Sequence, residues 1–405
     1  MNHQAMSERE AVETARRLHA EHLVIDSLSP SVLDEWVLTP EMAELAHAEQ
    51  ARGQGRPRIK AALSDHLLAH CETDPAMREA YLAYWARSGV TACNNTLYAS
   101  GHPDHAWDDT MREFARIERL INALGGAVSV ATRAGDVEKA FGEKRRAVIH
   151  HLQNAEPLGG DLNRLDTLYE MGLRGLQLTY NLRTRYGEGC LEPNDGGVSR
   201  LGEALIDRMN ELGMMVDASH GSPRNAIDAA RISGRPIIAS HTAVRALSGH
   251  ARGLSDEAFN AIAEGGGYVG VAILPAFLVT AAGSARARAA GKPHGWITLD
   301  DVADHVMYLV NLIGEEHVGI GTDWGKPYYS AITWTPSMVG GSSGFDWVGW
   351  RPQDRFDPNA QVLGMETWDL WPNLTATLLR RGLSEHQVCK LIGGNFLRVF
   401  RDICG

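Results

Sequence analysis

The chain has 405 residues, 44% hydrophobic and 22% charged, with 39 Lys+Arg against 50 Asp+Glu for a net charge of −11. This is a globular composition able to bury a large core, and its acidic balance, with no compensating basic cluster, removes the electrostatic basis for binding nucleic acid. Five scattered cysteines without a C-x-x-C argue against a disulfide framework and a thiolate zinc site, and no run nears 18 apolar residues, so no membrane partner or lipid anchor is expected and a reducing, cytoplasmic setting fits best.

After a polar start with helical pattern and no signal-peptide core (1–17), short apolar runs recur, each ending in polar residues. They lie at 23–26, 90–94, 147–150, 175–180, 214–217, 236–240, 267–271 and 318–323. Such runs read as buried strands. Amphipathic segments separate them, for example 201–212, with Leu201, Leu205, Met209 and Leu212 at helical spacing, and 256–263, with Ser255 as N-cap. Eight strand–helix units favour an α/β fold of the (β/α)8 TIM-like type, one domain over residues 1–405. A ninth run, 127–130, is taken as peripheral. A minimal barrel needs roughly 250 residues, and two insertions absorb the excess. Residues 35–87 are charged and helix-prone; residues 324–372 carry six of the ten tryptophans and read as a lid or a buried collar. Both would sit on the C-terminal face, where barrel active sites lie. Residues 371–400 return to helical periodicity.

Two successive strands end in Ser219-His220 and Ser240-His241, a pattern that places two imidazoles side by side on the rim. A third ends in Gly321-Thr322-Asp323. Two histidines and an aspartate with open positions suit a catalytic divalent metal such as zinc. The competing explanation, that each histidine caps its own strand, loses weight because three such residues fall at equivalent strand ends. Gln153, beyond His150-His151-Leu152, could face the same mouth as a weak neutral ligand or as scaffold, and His150 and His151 read as structural or supporting. Arg252 lies in the loop after the His241 strand, where a guanidinium could grip a carboxylate or be merely solvated. Gly265-Gly266-Gly267-Tyr268-Val269-Gly270 matches G-x-G-x-x-G but runs into a strand, so it is no dinucleotide loop. No Walker A, H-E-x-x-H or G-x-S-x-G motif occurs. Cys190 reads as a small buried thiol.

From about residue 23 to 400 the chain resembles the membrane (renal) dipeptidase family of metallopeptidases. The resemblance is densest at Gln177-Leu178-Thr179-Tyr180-Asn181, Gly187-Glu188-Gly189-Cys190, Asp217-Ala218-Ser219-His220, Ser240-His241, Arg252, Gly319-Ile320-Gly321-Thr322-Asp323 and Leu391-Ile392-Gly393-Gly394-Asn395-Phe396. It implies a barrel that hydrolyses dipeptides at a two-zinc centre, often accepting a D-residue on the C-terminal side. It further implies that His220 and His241 bind metal, that Asp323 is a ligand or proton acceptor, and that Arg252 receives the substrate carboxylate.

The first metal half-site departs from the family. Its D-G-H-x-D is Asp26-Ser27-Leu28-Ser29-Pro30 here, with Leu28 and Pro30 unable to bind metal. The bridging glutamate corresponds to Gln153, and a substrate-contacting histidine to Tyr180. The Gln153-Asn154 and Leu178-Thr179-Tyr180-Asn181 pattern resembles a bacterial branch of the family, so the changes look like a branch trait.

The expected site has Asp323 and Tyr180 as catalytic groups, and Arg252, Asn181 and Tyr180 around the substrate. His220, His241, Asp323 and Gln153 surround at most one divalent ion, with zinc the expected metal. Asp26 could reach the mouth and rescue a second ion site. The expected partner is a small molecule, with a homodimer left open. The expected activity is hydrolysis of dipeptides or similar small amides with a free carboxylate. The alternatives are a barrel enzyme acting on a non-peptide small molecule and an inactive dipeptidase homologue.

Overall fold

Short runs of β-branched and small residues, covered on both faces, set the strands of this chain, whose computed structural model describes residues 6–33, 37–293, 295–323, 345–351, 354, 357 and 359–405. In chain order the strands are β1 Ile25–Ser29, β2 Ala92–Tyr98, β3 Val128–Val130, β4 Arg146–Leu152, β5 Leu173–Gln177, β6 Met215–Asp217, β7 Ile238–Thr242, β8 Tyr268–Val271, β9 Ile297–Thr298, β10 Val318–Ile320 and β11 Val362–Leu363. Eight of them run in the order β1-β2-β4-β5-β6-β7-β8-β10, all parallel and laddered neighbour to neighbour, with β3 attached to the side of β4. The eight expected units are therefore the eight staves of a nearly closed barrel, and the ninth run is peripheral, as its position suggested.

Side-chain and backbone contacts cross the seam between β1 and β10. Ser27 Oγ donates to Ile320 O at 2.8 Å and Asp323 N to Leu28 O at 2.8 Å, while the same Ser27 Oγ lies 2.6 Å from Ser240 O of β7 across the barrel interior. The interior is so tight here that a Cβ on Gly270 or Gly321 would stand 2.1 Å from Ser240 O, so only glycine fits at either position.

Helices clothe the outside because their apolar stripes are needed to cover the strands. Arg200–Leu212 turns Leu205, Ile206 and Met209 inward behind a Ser199 cap, and Asp256–Glu264 starts at Ser255, whose side chain accepts from Ala258 N. Two strands end earlier than their apolar runs suggested. β5 stops at Gln177, after which Leu178 O is taken by Thr184 Oγ1 at 2.8 Å, leaving Tyr180 and Asn181 in the loop. β10 stops at Ile320, because Gly321 abuts Ser240 O and Asp323 has turned to φ 45°.

The first insertion folds as three helices, Pro40–Ala51, Arg56–Thr73 and Pro75–Ser88. In the second, Trp368 and Trp371 are fully buried, Trp368 edge-on to Trp85 with centroids 6.1 Å apart, so this part is a collar. Trp347 is exposed and meets His102 edge-on at 5.3 Å. Trp324 and Trp334 lie outside the described residues.

Candidate functional site

β6 ends at Asp217 and its chain turns sharply, placing His220 at φ 63°. A non-glycine residue in the left-handed region costs of order 1 kcal/mol and persists where the surroundings enforce it. What holds it there is the bond its carbonyl accepts from Cys190 N (2.8 Å) and the contact of its ring Nδ1 with Asn181 Oδ1 (2.7 Å). His220 Nε2 stands 2.9 Å from His241 Nε2, and both rings are buried.

The groups behind the two rings decide where their protons lie. Asn181 Nδ2 donates to Val348 O at 2.9 Å, so its Oδ1 is the atom facing His220 Nδ1 at 2.7 Å, and Nδ1 must carry the hydrogen. Behind His241, Ser240 Oγ donates its single proton to the Asp217 carboxylate and can only accept from His241 Nδ1, 2.8 Å away. Both Nε2 atoms therefore offer lone pairs to the same point. Two lone pairs at 2.9 Å repel, and a cation between them removes the repulsion. Burial, and then the charge of Arg252, hold both imidazoles well below their ordinary pKa, in the neutral form a metal ligand needs.

Asp217 anchors this arrangement. Burial alone would raise its pKa, but His151 at 3.0 Å and the Ser240 hydroxyl outweigh burial and bring it below the usual carboxylate range. Gln177 Nε2 (3.0 Å), Ser219 N (2.9 Å) and Ser240 N (3.0 Å) complete its shell. The sequence drew attention to the histidines and missed the roles of Asp217 and Ser240. The signal was present in Asp217-Ala218-Ser219-His220 and Ser240-His241, where the polar residues beside the histidines supply the support.

Arg252 is 1% exposed. Its Nη2 donates to His241 O at 2.7 Å, its guanidinium lies 5.7 Å from the Phe277 ring centroid, and Nε and Nη1 have no hydrogen-bond partner. A guanidinium stays charged even when buried, so two orphaned N–H groups in an apolar setting are a strong demand for an anion. Burial pulls its pKa down from the ordinary value, and the nearby Asp323 carboxylate acts the other way. Tyr180 stacks on His220 with centroids 3.9 Å apart. Gln153 Nε2 donates to Thr96 Oγ1 at 2.7 Å, which leaves its buried Oε1 without a partner. Asn181 lies among these residues as expected, but its amide is taken up by His220 and Val348, so it orients a ring. Cys190 is buried and its thiol pushed up to about 11, chiefly by burial, which suits an inert thiol.

The end of β1 is built differently. Leu28 is fully buried. The Asp26 carboxylate accepts from Thr322 N (2.8 Å), Thr322 Oγ1 (2.6 Å), Trp368 Nε1 (2.8 Å), Trp371 Nε1 (3.4 Å) and Leu28 N (3.3 Å). Both carboxylate oxygens are engaged by these donors, which tie Asp26 into the seam and the tryptophan collar.

Comparison with known proteins bears on this geometry. The family profile described as Membrane dipeptidase (Peptidase family M19) matches residues 12–331 and 339–404. The chain is 27% identical to Dipeptidase aclJ of Aspergillus oryzae over 349 residues, 85% of this chain and 73% of that protein. An amidohydrolase from Pseudomonas aeruginosa superimposes with TM-score 0.67 at 26% identity, covering 96% of this chain and 99% of that one. The probable dipeptidase PvdM from Pseudomonas aeruginosa superimposes with TM-score 0.70 at 22% identity over 98% of each, a likeness of fold. Among the described residues no helix is long and apolar enough to cross a membrane.

Proposed function

This chain belongs to the membrane dipeptidase family of metallopeptidases, and from that premise we propose that it hydrolyses dipeptides, or similar small amides with a free carboxylate, using one divalent ion at the barrel mouth. The observation that carries the reading is the pair of neutral imidazoles whose Nε2 lone pairs converge at 2.9 Å, each fixed from behind by a different strand. Imidazole donors with a carboxylate favour zinc. His220 and His241 would hold it, with Asp323 and the orphaned Gln153 Oε1 completing the set. When bound, zinc supplies a Lewis acid and brings a water toward a pKa of roughly 7.

The chain's own groups do the rest. Arg252 receives the substrate carboxylate on Nε and Nη1, the two donors left without partners. Asp323 accepts the proton of the attacking water and returns it to the leaving amine, and the Tyr180 hydroxyl donates to the developing oxyanion. Burial of Arg252 and of both histidines keeps bulk water from the site, which strengthens the electrostatic interactions made there. An acidic chain whose cysteines are unpaired suits a cytoplasmic enzyme with a small-molecule substrate.

A panel of dipeptides and N-acyl amino acids, assayed with added zinc, tests the reading. Turnover that disappears when the substrate carboxylate is amidated is the expected result. Metal uptake with no amide turned over would transfer the site to a non-peptide small molecule. That second reading is favoured by Leu28, Pro30 and Gln153, which stand where the family's other ligands would be. Absence of metal uptake at the mouth would make the chain an inactive homologue.

A further inference from the structure

Away from the barrel mouth, the first insertion brings three ligand-bearing side chains together. Helix Arg56–Thr73 carries His66 and His70, four residues apart and so on one face. Their rings stack with centroids 4.2 Å apart and planes 25° apart. Glu41, in the first turn of helix Pro40–Ala51, reaches across to place Oε2 3.9 Å from His66 Nε2. One ligand atom from each residue lies within 4.8 Å of the other two. His66 Nε2 is buried and has no hydrogen-bond partner, which leaves its polar atom unsatisfied.

We propose that Glu41, His66 and His70 form a second cation site, which binds a borderline divalent ion such as Zn2+ and clips the first two helices of the insertion to each other. Two imidazoles and one carboxylate are the donor set of zinc, and equally of Cu2+ or Ni2+, whereas Mg2+ and Ca2+ want more oxygens. Ligand bonds of about 2.0–2.1 Å bring tetrahedral donors to roughly 3.4 Å of each other, so closing from 4.8 Å needs a modest swing. Glu41, with its side chain 73% exposed, is free to make it. A water takes the fourth position on the solvent side. The site does not depend on the barrel mouth or on peptidase activity.

Zinc titration of the chelator-stripped full-length protein, counted by elemental analysis and calorimetry, tests this. The double variant His66→Ala/His70→Ala is expected to bind one equivalent fewer than the wild type, and His220→Ala/His241→Ala to retain that equivalent. Glu41→Gln, which replaces an anionic ligand by a weak neutral amide, should weaken the same site at least about tenfold. Zinc should also slow hydrogen exchange across residues 40–51 in the wild type and not in the double variant. All three side chains are partly exposed, and circular dichroism of His66→Gln/His70→Gln checks the fold independently. Equal zinc uptake by wild type and both double histidine variants at 66 and 70 would overturn the proposal. An unchanged affinity in Glu41→Gln would overturn the three-ligand set.

Discussion

The end of β1 and the ends of β6 and β7 lie on the same rim of one barrel, and each carries a fully buried aspartate, yet they have opposite chemistry. Asp26 is surrounded by neutral donors from Thr322, Trp368, Trp371 and its own strand, and burial pushes its pKa up to about 6 despite them. Asp217 is equally buried but faces imidazoles, and is held below the usual range. One carboxylate ties the first strand to the last and to the tryptophan collar. The other fixes the tautomer of a histidine. The fold supplies equivalent positions around the mouth, and the immediate neighbours decide whether a position holds a metal or a seam.

The widest test of that contrast removes a ligand from the metal side. His220→Ala or His241→Ala should lower kcat/KM at least a thousandfold, about 4 kcal/mol of transition-state stabilisation, with the mouth ion lost to elemental analysis. Counted in the His66→Ala/His70→Ala background, the mouth should hold one equivalent of zinc, because Leu28, Pro30 and the sated Asp26 offer nothing to a second ion. Two equivalents there would break the contrast outright.

Next in size is the seam side. Asp26→Asn keeps the shape but turns an NH2 toward the indole N–H groups of Trp368 and Trp371, leaving buried donors unsatisfied. A loss of about 2–4 kcal/mol in denaturant unfolding is expected, with metal affinity at the mouth unchanged. If metal affinity fell along with stability, the two halves of the rim would not be separable.

The legibility of the two halves in the sequence differs for the same reason. Strand positions were legible because a parallel barrel stave must be a short apolar run between helices, so all eight runs became staves. His220, His241 and Arg252 were legible because unusual residues stood at strand ends, and the structure brings them together. Asp26 was not: its partners Trp368 and Trp371 lie more than 340 residues away, and no local pattern announces such a contact. Asn181 reads as a substrate contact from its loop position. That its amide orients His220 depends on Val348, in a segment whose path the sequence does not fix.

A smaller effect should follow from disturbing the groups behind the rings. Asn181→Leu removes the acceptor of His220 Nδ1–H, and Ser240→Ala removes that of His241. Each should weaken zinc at the mouth by about 10- to 100-fold, the usual cost of losing a group that orients a ligand. Asn181→Asp should recover much of the loss, because a carboxylate also accepts from Nδ1. Unchanged zinc affinity in Asn181→Leu would show that the tautomer is not set from this side.

The smallest expected effect is a pH dependence, and it discriminates between burial and hydrogen bonding at Asp26. A carboxyl whose folded pKa is raised from 3.8 to about 6 stabilises the fold fully below its unfolded pKa, and that contribution is lost as pH rises through 6. Between pH 7 and pH 5 it should therefore add about 1 kcal/mol. The raw stability curve will not display this, because buried histidines act oppositely. His19 and His305 are pushed down to about 4, mainly by burial, so their contribution is present above 6.5 and declines as pH falls below it. Asp217, held below the usual carboxylate range, stays ionised in both states over this window and leaves it flat. The quantity to measure is the difference in unfolding free energy between wild type and Asp26→Asn, in which the histidines cancel. That difference should widen in favour of the wild type by about 1 kcal/mol on going from pH 7 to pH 5. If it stays constant, the five donors around the carboxylate have overcome its burial, and Asp26 is as firmly ionised as Asp217.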